Sequence, residues 1–261
     1  KIFLDYKPQK SISMLLRIRI QNFLSFQKET TFDMLTDPKI EGLPHHISKD
    51  TPLPLLKQAA IYGANGAGKS NLIKTFVFLK NWGTNPKCLE EIEICDYSFR
   101  MTDEDTKPPI CLEVEFLSHQ KAYLYKVAIS EESIEESLYL SGLGKSADTL
   151  IFERKDSKLL THSLLNESAI NELLTANKKA SLLVLHQGLG ASYNPELKAA
   201  YEWFDEQLHI VKYPSDYTQL TKQLTSDEKL LDFVEDIVQS CDLDIDGIER
   251  EENSEELLFL Q

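Results

Sequence analysis

The sequence is short of several things whose absence narrows its chemistry. It has only four cysteines, Cys88, Cys95, Cys111 and Cys241, with no CxxC pair among them. That excludes a disulfide framework and a cysteine zinc site, and predicts reduced thiols in a cytoplasmic setting. No apolar run approaches the ~20 residues of a membrane-spanning helix, so no membrane segment is expected. No Ser-His-Asp or Cys-His arrangement can be assembled, and His45-His46 lacks a third metal ligand at useful spacing. Asp242, Asp244, Asp246 and Gly247 imitate the start of a calcium loop, but the downstream Glu is out of register, and the run reads as acidic surface. Basic residues are also scarce: 28 Lys and Arg against 42 Asp and Glu give a net charge of −14, the wrong sign for a simple nucleic-acid coat. The imbalance is local. Residues 227–261 hold 13 acids and 2 bases, net −11, whereas residues 1–28 hold 6 bases and 1 acid, net +5. The first reads as the solvated face of C-terminal helices. The second reads as a basic first strand, whose edge could touch DNA in a larger assembly.

What is present is ordinary for a globular chain: 261 residues, 42% of them apolar, enough for one large domain or two modest ones. Residues 1–13 read as an extension, because Met14 makes a natural start for the apolar run that follows. Residues 15–26 alternate apolar and polar as a half-buried strand does, and a second strand is expected over 29–34. Residues 36–54, rich in Pro, Gly, Asp and His, read as a loop. A short apolar strand at 58–62 then meets a glycine-rich turn, and a helix follows from about Lys69 to Trp82, with Leu72, Ile73, Phe76 and Leu79 on its buried face. ICLEVEFL and KAYLYKVAIS flank a turn at residues 118–120 and predict an antiparallel hairpin. SLYLSG and DTLIFERK extend it into a meander. Beyond Ile170 the pattern turns helical, with residues 179–186 as a buried strand between helices, and with Ser226 as an N-cap of the last amphipathic helix.

The strongest motif is Gly63-Ala64-Asn65-Gly66-Ala67-Gly68-Lys69-Ser70, a complete G-x-x-x-x-G-K-S. Glycines let a backbone turn aim several N–H groups at one point, an anion nest, and the helix that begins there adds its positive end. Lys69 supplies a mobile charge for the outer phosphates, and Ser70 offers a hydroxyl to Mg²⁺. The pattern predicts a bound nucleoside triphosphate, ATP, with Mg²⁺, held by Asn65, Gly66, Ala67, Gly68, Lys69, Ser70 and Asn71.

The NFLSF strand end, followed about 40 residues later by YGANGAGKSNLIK, resembles the ABC-type ATPases of the SMC, RecF and OLD-like kind. Within that group it is most similar to bacterial ATPases of abortive infection and anti-phage defence, including those of Septu- and retron-type systems. The resemblance implies an α/β fold, namely the N-terminal portion of a P-loop ATPase head of ABC type, with an antiparallel β subdomain and a helical segment. It implies three regions: 1–13, an extension; 14–193, the ATP-binding lobe; and 194–261, helices leading to a C-terminal half. DNA-repair members of the group place an Arg inside the N-F-x-S turn, where Leu24 stands here. Any contact from this turn therefore falls to Asn22, Ser25 or backbone. ABC heads also use a Gln to help hold Mg²⁺ and the attacking water, and Gln187 in SLLVLHQGLG is the candidate for that metal and catalytic role beside Lys69. Partners implied are a second copy or a higher oligomer joined through the heads, a nuclease or toxin effector, and DNA touched within the assembly.

A hydrolysing head of this kind also needs a Walker B strand ending in Asp-Glu and an LSGGQ-like signature leading a helix. Leu140-Ser141-Gly142-Leu143-Gly144-Lys145 imitates the signature, but it lies between hairpin strands. Thr149-Leu150-Ile151-Phe152-Glu153 lacks the Walker B Asp and runs into Arg154 and Lys155. Both read as sheet and turn. The expectation is therefore a segment of a longer head that binds ATP and by itself hydrolyses it poorly. The rival readings are a DNA-repair or chromosome-maintenance ATPase and a nucleotide sensor that does not cycle.

Overall fold

The structure is a computed structural model that describes residues 13–37, 44–101, 108–164, 166–192, 194–211, 228–240, 247–250 and 257–260. The chain divides into two compact units, the first ending at Leu208 and the second covering residues 209–261.

Alternation in the sequence becomes a seven-stranded, wholly antiparallel sheet in the first unit. Its strands are β1 (Met14–Gln21), β2 (Thr30–Asp33), β5 (Ile110–Ser118), β6 (Lys121–Ile129), β7 (Ile134–Leu140), β8 (Thr149–Lys155) and β9 (Lys158–His162). They lie in the order β2-β1-β5-β6-β7-β8-β9. β5 and β6 form the expected hairpin, with His119 and Gln120 at φ 48° and 66° as its two turn residues. Positive φ at both positions matches the right-handed twist of the flanking strands. SLYLSG and DTLIFERK do extend the meander, as β7 and β8. The LSGLGK segment is the β7–β8 connection, and TLIFE is sheet.

Register carries the pattern across the sheet. Ile18, Val114, Tyr125, Leu138 and Phe152 are cross-strand neighbours in one row, each fully buried. On the opposite face Arg19 pairs with Glu113 at 2.6 Å, and Lys126 approaches the same carboxylate at 3.3 Å. One face is thus core and the other solvated, as period-two alternation requires.

The core face is covered by helices. Helix α1 (Lys69–Thr84) buries Leu72, Thr75, Phe76, Phe78, Leu79, Trp82 and Gly83. Ile73, expected on the same face, is instead 43% exposed. Two short helices follow, α2 (Cys88–Glu91) and α3 (Ile94–Tyr97), then α4 (Glu167–Ala176) after the meander. Helix α6 (Pro195–Glu202) starts at Asn194, whose side chain accepts from Glu196 N and Leu197 N, and it runs into a π turn at Trp203–Gln207. Trp203 stacks on Phe116 with ring centroids 4.2 Å apart, and Phe204 meets Tyr125 edge-on at 5.5 Å. Segment 194–208 therefore packs on the sheet.

Two expected strands are overturned. Residues 179–186 hold no strand: helix α5 (Leu182–Leu185) stands there, with a 3-10 turn at His186–Ser192. An apolar run this short reads equally as strand or buried helix by periodicity. Ser181 decides it, because its Oγ accepts from Leu183 N as an N-cap and the Glu136 carboxylate takes Leu182 N at 3.0 Å. Residues 58–62 form no strand and join no sheet among the described residues; Ile61 is 44% and Tyr62 90% exposed. The strands that the first unit does form are all engaged in the antiparallel sheet or in the small ladder of β3 (Ile47–Ser48) with β4 (Leu55–Leu56). That ladder interrupts the loop expected over 36–54.

A buried ion pair ties α1, the sheet and α5 together. Glu136 on β7 and Arg154 on β8 have fully buried side chains 2.5 Å apart. Glu136 Oε1 also accepts from the Tyr125 hydroxyl at 2.6 Å and from the Ser181 hydroxyl at 2.7 Å. Arg154 donates to Ala180 O at 2.7 Å and to Asp156 O at 2.6 Å. Trp82 Nε1 from α1 donates to Tyr125 at 2.7 Å. Burial and the Glu136 charge push the Tyr125 phenol well above its ordinary pKa, so it remains a donor. Cys88, beneath α1, is pushed up to about 12 by burial and then by Glu91, which leaves it a neutral, inert thiol at neutral pH.

In the second unit, helix α7 (Glu228–Ser240) is followed by β10 (Gly247–Arg250) paired antiparallel with β11 (Leu257–Leu260). Ser226, the Asp242, Asp244 and Asp246 run, and most of extension 1–13 lie outside the described residues.

Candidate functional site

The glycine-rich turn at residues 63–70 leads into α1, so the motif sits at the N-terminus of a sixteen-residue helix. Gly66 and Gly68 have φ 82° and 92°, a left-handed region open to glycine at little cost. Gly68 is the N-cap residue and supplies no side-chain cap; Asn71 N donates to its carbonyl at 2.9 Å, so the N–H groups a phosphate can take at this helix end are those of Lys69 and Ser70. Ala67 N donates to Ala64 O at 3.2 Å and closes the loop on itself. Lys69 Nζ crosses the loop to Gly63 O at 2.6 Å and Ala64 O at 2.7 Å. Asn65 and Ser70 are exposed. A glycine-rich turn at a helix end with a cation across its mouth fits a polyphosphate, and the Ser70 hydroxyl at the first turn fits a divalent cation beside it.

The NFLSF turn comes to this loop from 46 residues away. Ser25 Oγ accepts from Asn71 Nδ2 at 2.9 Å. A Cβ built on Gly68 would lie 2.9 Å from Ser25 Oγ and 3.7 Å from the Phe26 ring. Gly68→Ala therefore meets both a backbone conformation costing an L residue about 1–2 kcal/mol and a clash with Ser25. The expected result is at least tenfold weaker triphosphate binding and an unfolding midpoint a few degrees lower, checked by calorimetric titration and thermal melting.

Asn22 plays a different part. It is 3% exposed. Its Nδ2 donates to Pro108 O at 2.5 Å and lies 3.3 Å from Pro109 O, and its Oδ1 accepts from Phe99 N at 3.3 Å. The amide is consumed in holding the turn against the backbone of Phe99, Pro108 and Pro109. Leu24 N donates to Tyr97 O at 2.6 Å, and Phe23 is buried among Phe78 and Tyr97. These anchors hold Asn22 at φ 53° and Leu24 at φ 49°, the latter a strained conformation for a bulky side chain. Asn22→Ala leaves buried polar groups unpaired, and a loss of about 1–3 kcal/mol in unfolding free energy is expected, measured by urea titration.

Gln187 lies in the 3-10 turn that follows α5, half-buried. His186 is fully buried, its Nδ1 donating to Leu183 O, which leaves Nε2 to accept from Gln187 Nε2 at 3.2 Å. Burial holds the His186 pKa below its ordinary value, consistent with a neutral ring in this tautomer. No hydrogen bond joins Gln187 to the P-loop among the described residues. The structure thus brings Ser25, Asn71, Gly68 and Lys69 together, turns the Asn22 side chain away to backbone, and leaves Gln187 on its histidine neighbour. Phe26, half-buried with its ring against Gly68, carries no motif signal of its own. The one hint in the sequence is that it is the apolar last residue of NFLSF. The described residues hold no cluster of three metal-ligating side chains and no helix long and apolar enough to cross a membrane.

No curated protein matches the chain. The family described as "AAA domain, putative AbiEii toxin, Type IV TA system" matches residues 59–258, from just before the P-loop to the final strand. A mixed α/β domain with its P-loop opening a long helix over an antiparallel sheet suits that assignment, and the chain belongs to this family of AbiEii-like AAA domains.

Proposed function

We propose that this chain is the nucleotide-binding part of an ABC-type ATPase head. It takes Mg²⁺ and ATP at residues 63–70, closes on a second copy around ATP, and so gates an effector, a nuclease or toxin, in bacterial defence against phage. The observation that carries the reading is the bond from Asn71 to Ser25, which joins the N-F-x-S turn to the first turn of the P-loop helix. A bare phosphate-binding loop does not require that second element. In this reading the 63–70 backbone and Lys69 hold the phosphates, and Ser70 holds Mg²⁺. Ser25 and Asn71 set the entry of the loop into the helix. The bound metal supplies charge neutralisation on the phosphates. The family's AbiEii-like description supports the defence role.

Sedimentation with Mg²⁺–ATP and with ADP tests the assembly. A doubling of mass with ATP alone supports it, and a single mass under both conditions overturns the dimer. Phosphate release under the same conditions separates a head that cycles from one that only senses nucleotide.

A further inference from the structure

The solvated face of the sheet, away from α1, carries a cavity of about 430 Å³, within the size range of small-molecule sites. Strands β1, β5 and β6 form its floor. Leu35 and Leu53 on one side and the β7–β8 loop on the other form its walls. One end is apolar. β1 bulges between Leu15 and Arg17, and Leu16 joins Leu55, Leu117 and Ala122 in a small cluster against which Leu35 and Leu143 pack. The β7–β8 loop is tied down: Gly142 N donates to Asp148 Oδ1 at 2.8 Å, and Lys145 Nζ crosses to Pro52 O at 3.1 Å. Leu143 is held at φ 54°, a conformation that a leucine keeps only where its surroundings impose it. The other end of the cavity is charged. Arg19 and Lys126 share Glu113, at 2.6 and 3.3 Å, and Asp148 is occupied by Gly142. Arg17 and Glu115 are left. Arg17 Nε is buried and has no hydrogen-bond partner among the described residues. Glu115 Oε2 stands 3.9 Å from it, beyond hydrogen-bond reach, while the Ser141 hydroxyl takes the other Glu115 oxygen. Both side chains are partly open, 29% and 14% exposed, so a ligand can reach them.

A guanidinium and a carboxylate side by side, not bonded to each other, offer a cation and an anion to one small ligand. A bare anion would meet Glu115, and a bare cation would meet Arg17, Arg19 and Lys126. A nucleic-acid backbone would find both arginines of β1 already opposed by acids of β5. A zwitterion satisfies both charges. We propose that this cavity binds a free α-amino acid with an apolar side chain. Its carboxylate lies on Arg17, its ammonium on Glu115, and its side chain against Leu35, Leu53 and Leu143. Charge-assisted bonds of this kind are the strong ones, and only a free amino acid sets both charges on one carbon, because a peptide end supplies one of them. None of the lining residues belongs to the 63–70 turn, so the proposal stands apart from the nucleotide reading.

The test is calorimetric titration and saturation-transfer NMR of the full chain with L-leucine and L-phenylalanine. Three analogues of leucine accompany them: isocaproate, which lacks the ammonium, isoamylamine, which lacks the carboxylate, and glycine, which lacks the side chain. At least one of the two amino acids is expected to bind saturably, and the analogues at least about tenfold more weakly. Arg17→Met should abolish that binding. Glu115→Gln should weaken the amino acid and strengthen isocaproate, an exchange of preference that a merely structural Glu115 would not produce. Lys69→Ala should change neither. Should Arg17→Met melt early, Leu53→Trp, which fills the cavity from its wall, is expected to block the amino acid instead. A wild-type chain that binds neither amino acid overturns the proposal, as does isocaproate binding as tightly as leucine. Binding lost in Lys69→Ala, or retained in both Glu115→Gln and Leu53→Trp, places the ligand elsewhere and overturns it as well. A DNA duplex bound through Arg17, with no amino acid bound, would make this face a nucleic-acid surface and overturn it too. None of these results bears on ATP at residues 63–70.

Discussion

Replacing Lys69 with alanine is expected to weaken ATP binding by about one hundredfold while leaving the unfolding free energy within about 0.5 kcal/mol of the wild type. The ammonium is held by two loop carbonyls, Gly63 O and Ala64 O, at 2.6 and 2.7 Å. Both contacts are solvent-accessible, so their loss costs the fold little. Against a polyphosphate the same group makes charge-assisted bonds worth about 1.5–3 kcal/mol each, and losing that interaction weakens affinity by one to two orders of magnitude. Lys69→Arg should recover only part of it, because a planar fork cannot fit where a compact ammonium bridges two carbonyls. Calorimetric titration with Mg²⁺–ATP, alongside urea unfolding, reads both quantities. An unchanged ATP affinity would remove residues 63–70 from the binding site altogether.

Arg154→Met is expected to be the most destabilising single change in the first unit, at about 3–5 kcal/mol. It removes the guanidinium beside a carboxylate that has no exposure. Ala180 O and Asp156 O lose their donors as well. Most of the cost is the charge left behind rather than the worth of the pair. The double variant Glu136→Gln/Arg154→Met should therefore be more stable than Arg154→Met alone, since a neutral amide can still accept from Tyr125 and Ser181. Urea unfolding of the single and double variants checks this, and a double variant no more stable than the single one would refute the explanation. Exposed pairs such as Lys155 with Glu135, 2.7 Å apart and about half exposed on both sides, should contribute at most about 1 kcal/mol.

The sequence legible in advance was the part whose physics is local. The P-loop needs glycines, a lysine and a hydroxyl within eight residues and a helix directly after them. The β5–β6 hairpin needs two alternating runs and a two-residue turn. Both are decided by neighbours along the chain; the hairpin and the helix after the glycine-rich turn stand where the pattern placed them, whereas the strand expected before that turn does not form. Helix α1 was likewise legible in extent, although Ile73 shows that spacing alone does not settle which side a flanking residue takes.

Tertiary structure decided the rest, because the deciding partners are distant in sequence. Whether SLLVL became strand or helix turned on the Ser181 cap together with Glu136, 46 residues before Leu182. A sequence pattern cannot show a carboxylate waiting at a helix end. Asn22 and Ser25 share one turn and one motif, yet one is consumed by the backbone at residues 99, 108 and 109 and the other reaches Asn71. Only the folded path of the chain separates their roles. The sequence by itself determined the glycine-rich turn at residues 63–70 and the helix that follows it. The fold determined what stands beside that turn, through contacts that close loops of about 40 residues or more and so leave no periodicity to read.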